Sequence, residues 1–288
     1  MYQGAKYQIV VDKNCITSEH SSNAFHCETT DTYTIKMVLR GQASYIVGNR
    51  ELTLSPGYFL FLNCGTKYCN RISSDTQVNT FSLLFDPAFV RNFQYANTAT
   101  DSSVLSDFKG RDDTNPYFVE SIYPLKGDMQ VSLERLKTYT DCGQMDPLCL
   151  REYLNSCLLN YYALYHAEVT DRADSLQFMS NSTRSEILRR LSIAKDYIIS
   201  NYNKNIKLED IALAACLSVN HLLRTFKQAY RQSPYQFLTK FRLQQAKYYL
   251  KNTDYPIHEI VDMVGFECPS SFTRLFKNSF QITPGRYR

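Results

Sequence analysis

The sequence contains no His-x-His and no Cys-x-x-Cys, and each absence removes a class of function. Catalytic metal centres need several imidazoles and a carboxylate converging on one ion. The five histidines, His20, His26, His166, His221 and His258, are instead scattered along the chain. The nine cysteines, Cys15, Cys27, Cys64, Cys69, Cys142, Cys149, Cys157, Cys216 and Cys268, are odd in number. Neither a disulfide framework nor a zinc cluster is indicated; they read as reduced thiols, with Cys64 and Cys69 the close pair. No run of about 18 apolar residues is present to span a membrane, and Met1 to Val11 lacks the form of a signal peptide. The expectation is a cytoplasmic chain with no metal, no cofactor, no catalysed reaction and no membrane partner. Its 288 residues suit two domains, each large enough to bury a core.

What is present is a duplication near the end. Leu222, Arg224, Phe226, Lys227, Tyr230, Ser233 and Pro234 recur as Phe272, Arg274, Phe276, Lys277, Phe280, Thr283 and Pro284, always 50 residues apart. A repeat of this length is one supersecondary unit used twice. Each copy opens with a short apolar-periodic helix, Leu208 to Ala215 and Pro256 to Val264, with Ile211 and Ile260 facing inward. A tight turn follows at Cys216-Leu217-Ser218 and at Gly265-Phe266-Glu267, where glycine suits the left-handed end of a helix. The second helix buries Leu222, Phe226 and Tyr230, or Phe272, Phe276 and Phe280, at i, i+4, i+8. Its bases, Arg224, Lys227, Arg274 and Lys277, fall outside that stripe. Two short helices with bases on the free face of the second are the form of a DNA-binding helix-turn-helix.

Between the copies, Pro234 to Lys251 reads as a long helix opened by Ser233 as N-cap with proline at the first position. Its length of roughly 27 Å approaches the ~34 Å between successive major-groove faces, so it can space two reading helices along one side of a duplex. Charge follows the same division. Residues 185–288 hold 16 Lys+Arg against 8 Asp+Glu, the remainder 16 against 20. An acidic front and a basic back indicate a sensor joined to a phosphate binder.

Residues 207–288 resemble the DNA-binding domain of the AraC/XylS family of bacterial transcription regulators, and with a leading helix near Ile187 to Tyr202 the likeness covers about a hundred residues. It is carried by Leu208-x-x-Ile211-Ala212, His221-Leu222-x-Arg224-x-Phe226-Lys227, Arg242-Leu243-x-x-Ala246, Ile260 to Gly265-Phe266, Phe272-x-Arg274-x-Phe276-Lys277 and Thr283-Pro284-x-x-Tyr287-Arg288. The resemblance implies DNA contacts from Asn220, His221, Leu223, Arg224 and Lys227 in the first reading helix, and from Ser270, Ser271, Arg274 and Lys277 in the second. Arginine suits the task because its fork bonds a guanine edge or clamps a phosphate, and asparagine can bond adenine likewise. The alternative for Arg224 and Arg274 is a structural salt bridge. Arg231 and Gln281 stand where the family usually has glycine, and Pro269 lies near the start of the second reading helix.

The front half reads as β-hairpins. Short alternating runs, Thr34 to Leu39, Ala43 to Val47, Arg50 to Leu54, Tyr58 to Leu62 and Thr80 to Phe85, are punctuated by Gly41, Gly48-Asn49, Pro56-Gly57 and Cys64-Gly65. They suggest a small barrel or jelly roll, and the stretch Arg40-Gly41-Gln42 to Gly65 resembles the cupin-like effector domain of the same family. Arg40 matches the arginine that lines the sugar pocket in the arabinose-responsive relative; the alternative is an Arg40 pointing outward at a strand end. Tyr45 and Tyr58 are candidates to stack on or hydrogen-bond an effector, and Tyr68 stands where relatives often have histidine. From Gln130 to Ala167 the pattern is helical, with Leu133, Leu136 and Tyr139 and then Leu150, Leu154, Leu158, Tyr161 and Tyr165, and these helices resemble the family's dimerisation helices.

The fold expected is thus a two-domain α+β chain. A cupin-like β-barrel or jelly roll with dimerisation helices occupies residues 1–168, a linker 169–184, and an all-α domain with two helix-turn-helix units joined by a long helix 185–288. The function expected is a sequence-specific transcription regulator, an activator, governed by a small-molecule effector. Its expected partners are double-stranded promoter DNA, a second copy of the chain and, for activation, RNA polymerase. The alternative is a constitutive regulator whose barrel serves only oligomerisation or protein contacts.

Overall fold

A computed structural model of the chain describes residues 7–98, 114–176 and 180–288. It divides into two compact units, Met1–Val169 and Thr170–Arg288.

The first unit is an antiparallel sheet of β1 (Tyr7–Val11), β2 (Asn14–Thr29), β3 (Tyr33–Arg40), β4 (Ala43–Val47), β5 (Arg50–Leu54), β6 (Tyr58–Leu62), β7 (Lys67–Phe85) and β8 (Ile122–Pro124). The three central hairpin strands fall where the turn signals put them. The two long strands do not announce themselves, because β2 and the first half of β7 are rich in Ser, Thr and Asn rather than cleanly alternating. They pair along most of their length, with a register shift between Ser21 and Asn23. The second half of β7 pairs with β3, which pairs with β6 and then β8. The first half of β7 pairs with β4, which pairs with β5. The long strands therefore run through two leaves.

One face of the first leaf carries Ile35, Met37, Phe59, Phe61, Phe81 and Leu83, packed with Leu133, Leu136, Leu154, Leu158 and Tyr161. Those last residues lie on α2 (Gly127–Asp141) and α3 (Pro147–Tyr165), which follow α1 (Pro87–Thr98). Tyr161 stacks on Phe61 with ring centroids 4.1 Å apart and planes 3° from parallel. Each large side chain buried here contributes about 1.5–3 kcal/mol. The helices begin where local chemistry allows. The Asp86 carboxylate accepts from the amides of Ala88 and Phe89, Asp146 caps Cys149, and Pro87 and Pro147 take first-turn positions whose amides would be unpaired.

The sequence-based reading of the cysteines as reduced thiols is corrected by the sheet. Cys27 and Cys69 face each other in the β2–β7 register and form a disulfide with Cα atoms 4.0 Å apart. Separation along the chain was the wrong measure; strand pairing brings together residues 42 positions apart.

The expected linker also differs. A π-helical turn at His166–Thr170 continues into α4 (Asp171–Ser175), residues 177–179 lie outside the described set, and α5 runs from Asn181 to Ser200. Ser180 caps it by accepting from Thr183 N. The polar composition marked exposure, and polar residues are compatible with exposed helix.

The second unit continues with α6 (Leu208–Ala214), α7 (Val219–Tyr230), α8 (Pro234–Asn252), α9 (Ile257–Met263), α10 (Pro269–Phe280) and α11 (Pro284–Tyr287). Its core takes Ile198 and Leu191 from α5, Ile211, Leu222, Phe226, Phe241, Leu250, Ile260, Phe272 and Phe276, all at most 2% exposed. Among the described residues no helix is long and apolar enough to cross a membrane.

Candidate nucleic-acid interface and the gap between the β leaves

Each reading helix is set by the end of the helix before it. In the first copy, Leu217 N donates to Ala212 O and Cys216 N to Leu213 O, with Cys216 at φ 52°. In the second, Phe266 N donates to Val261 O and Gly265 N to Asp262 O, with Gly265 at φ 81°. Both are Schellman closures, which turn the chain sharply while satisfying orphan carbonyls. The left-handed residues Cys216 and Gly265 are 49 apart, whereas the next N-caps, Ser218 and Cys268, are 50 apart. The second turn is thus one residue longer. Between the copies, α8 is opened by a reciprocal capping box: Gln236 N donates to Ser233 Oγ, and Ser233 N to the Gln236 side chain. At 19 residues it extends roughly 28 Å.

On α7 the buried stripe is Leu222, Thr225, Phe226, Ala229 and Tyr230. Asn220, Arg224 and Lys227, at i, i+4 and i+7, are exposed on the opposite face, and His221 and Leu223 are half-buried beside them. On α10 the buried residues are Phe272 and Phe276, and Ser270, Arg274 and Lys277 repeat the same spacing with the same exposure; Ser271 is half-buried. Among the described residues Arg224, Lys227, Arg274 and Lys277 have no ion-pair partner within 4.0 Å. The scaffold spends other arginines on itself. Arg190 donates to Cys216 O in the first turn, and Arg242 donates to Tyr202 O and Lys204 O.

In the first unit, the face of β3 turned away from the helices carries Thr34, Lys36 and Val38. Lys36 Nζ lies 4.7 Å from the ring centroid of Tyr68 and 5.9 Å from that of Tyr45, so this face of the first leaf meets the second leaf. Tyr68 Oη donates to Glu28, which also bonds His26 Nε2 at 3.1 Å. Burial pulls the Lys36 ammonium below its ordinary value, with the charges of Glu28 and Glu19 opposing. Burial raises the Glu28 carboxyl, but the bonds from Tyr68 and His26 and the charge of Lys36 outweigh it and leave the group below its usual value.

A protein-family profile described as "Helix-turn-helix domain" matches residues 211–288. Residues 211–288 are a helix-turn-helix domain. The chain is 34% identical over 100 residues to an uncharacterised HTH-type transcriptional regulator of Haemophilus influenzae, covering 35% of this chain and 34% of that protein. It is 35% identical over 95 residues to the lactose operon transcription activator of Staphylococcus xylosus, covering 33% and 34%. These matches span about a third of the relatives' length. A longer one, 22% identical over 262 residues, covers 88% of this chain and 82% of the uncharacterised HTH-type transcriptional regulator YdeC of Bacillus subtilis.

Within the helix-turn-helix domain, Arg231 and Gln281 stand where the resemblance led to an expectation of glycine, and the structure gives both the left-handed conformation, φ 57° and 61°. They close α7 and α10 as glycine would, at the cost of a Cβ in a region that disfavours it. Pro269 is accommodated at the first position of α10. Outside that domain the four effector-site candidates do not assemble as a group. Tyr45 and Tyr68 come together beside Lys36, their ring centroids 6.3 Å apart. Tyr58 has a different electrostatic neighbour, Glu168, while Glu19 and Glu28 act on the other two. Arg40 is exposed at the end of β3, which is the outward alternative and corrects its placement among the effector-site residues. Val38 pairs with Thr80 but Arg40 with Asn79, so a bulge intervenes and turns Arg40 to the opposite face. Lys36 was missed, although a lysine at an inward position of an otherwise apolar strand is itself a signal.

Proposed function

We propose that the chain is a sequence-specific DNA-binding transcription regulator whose AraC-type domain reads two consecutive major-groove segments. The observation that carries the reading is the matched pair of faces: Asn220, Arg224 and Lys227 on one helix, Ser270, Arg274 and Lys277 on the other, in the same spacing and exposure. His221, Leu223 and Ser271 flank them. Cations left without protein partners suit phosphates and guanine edges. No catalysed reaction is assigned to the chain. Activation is supported by the name of the Staphylococcus xylosus relative, a lactose operon transcription activator, and an activator would take RNA polymerase as its partner. A promoter target would be met in the cytoplasm. Self-association through α2 and α3 is supported by exposed apolar side chains there, Val131 at 43%, Leu148 at 76% and Leu159 at 51%. A small-molecule effector between the β leaves would act by binding one arrangement of the chain better than another.

The test is binding of the full chain to its own upstream region, beside scrambled DNA, across a salt series. Preferential binding that weakens steeply with salt is expected. Equal, weak binding to both fragments overturns the reading.

A further inference from the structure

Lys36 is an unusual group to leave between two β leaves. It sits in mid-strand, opposite Ser82 of β7 and Leu60 of β6, between the buried residues Thr34 and Val38 on the same face. Among the described residues its ammonium has no ion pair within 4.0 Å and no hydrogen bond. Glu28, the acid whose charge acts on it most strongly, is already engaged by Tyr68 and His26. Lys36 is half-buried, and the faces of Tyr45 and Tyr68 offer its ammonium only cation–π attraction, a weak substitute for the water it gives up. A second group in the same gap lacks a partner. Asn70 lies opposite Tyr45 in the β4–β7 register, and its amide oxygen is buried without a hydrogen bond among the described residues.

We propose that the gap between the β leaves binds a small hydroxylated oxyanion, its carboxylate or phosphate on Lys36 Nζ and its hydroxyl donating to Asn70. The Tyr45 and Tyr68 rings supply the walls, and the charge-assisted contact to Lys36 supplies the orientation. This deepens the effector reading given above and rests on it. Tyr58 and Arg40 have no part in the site.

The experiment is thermal unfolding of the full chain with lactate, salicylate or glycerol 3-phosphate, each beside its neutral counterpart, lactamide, salicylamide or glycerol. At least one oxyanion is expected to raise Tm by roughly 5 °C at saturation and its neutral counterpart to raise it far less. Carboxylates and phosphate form separate arms, so the preferred headgroup is read directly. Lys36→Met should abolish the shift while melting no lower than the parent without probe, because it removes, at similar volume, an ammonium with no ion pair or hydrogen bond among the described residues. Lys67→Met, at an exposed position of β7, should leave the shift intact. Equal shifts by charged and neutral probes, a shift that survives Lys36→Met, or no shift from any oxyanion overturns the proposal. Preference for the upstream DNA is measured separately, so loss of the anion site leaves the regulator reading standing.

Discussion

The two helix-turn-helix copies reach one geometry with different chemistry. The first puts Cys216 in the left-handed position and then caps its reading helix with Ser218, which accepts from His221 N at 3.3 Å. The second puts Gly265 there and begins its reading helix with Cys268 and Pro269. The difference lies in what stands nearby. A Cβ on Gly265 would meet backbone atoms of Asn203 at 2.9 Å, whereas Cys216 is exposed and has room for its side chain. Glycine is therefore required in the second turn for space as well as for φ, and in the first only φ disfavours a side chain. A duplicated unit keeps its hydrogen-bond pattern and lets each copy's surroundings choose the residues.

That contrast can be broken most forcefully at Gly265. Gly265→Val should cost roughly 2–4 kcal/mol, combining left-handed strain with the collision at Asn203. Cys216→Gly should instead leave stability unchanged or raise it; urea unfolding of the two variants measures both, and equal losses would show that the turns are not distinguished by space. On the reading faces, Arg274→Ala and Arg224→Ala should each cost about 1–3 kcal/mol of specific DNA affinity with melting unaltered. Unequal losses would show which copy reads and which clamps, and no loss from either would remove both arginines from the interface. At the caps, Ser218→Ala should destabilise by about 1 kcal/mol, whereas Cys268→Ser should stabilise by a somewhat smaller amount. Smallest of all, Arg231→Gly or Gln281→Gly should gain roughly 0.5 kcal/mol, relief of strain being partly cancelled by the freer unfolded chain. A loss at either position would mean that the replaced side chain makes a contact worth more than its strain.

The helix-turn-helix domain was legible because its signals are local. Turn, cap, stripe and exposed base all lie within about a dozen residues of one another, and they recur. In the β unit the hairpins β4, β5 and β6 were equally plain for the same reason. What escaped depends on pairing across the sheet. The Cys27–Cys69 contact exists only once β2 is aligned with β7. Arg40 leaves the gap because of a bulge between Val38 and itself that no local pattern displays. Lys36 becomes conspicuous only when Tyr45 and Tyr68 arrive from the other leaf to surround it.

The bond between Cys27 and Cys69 also makes the chain, in the mechanical sense, a rope with a loop spliced into it. The splice encloses β3 to β6 and with them Lys36 and Tyr45, over a sequence separation of 42 residues. Pulled from its ends, the oxidised protein should come up short by about 140 Å of contour, at roughly 3.4 Å per residue, and should recover that length when a reductant is added. A single protease cut between residues 27 and 69 would open the loop without releasing a fragment, so the nick would be invisible on a non-reducing gel.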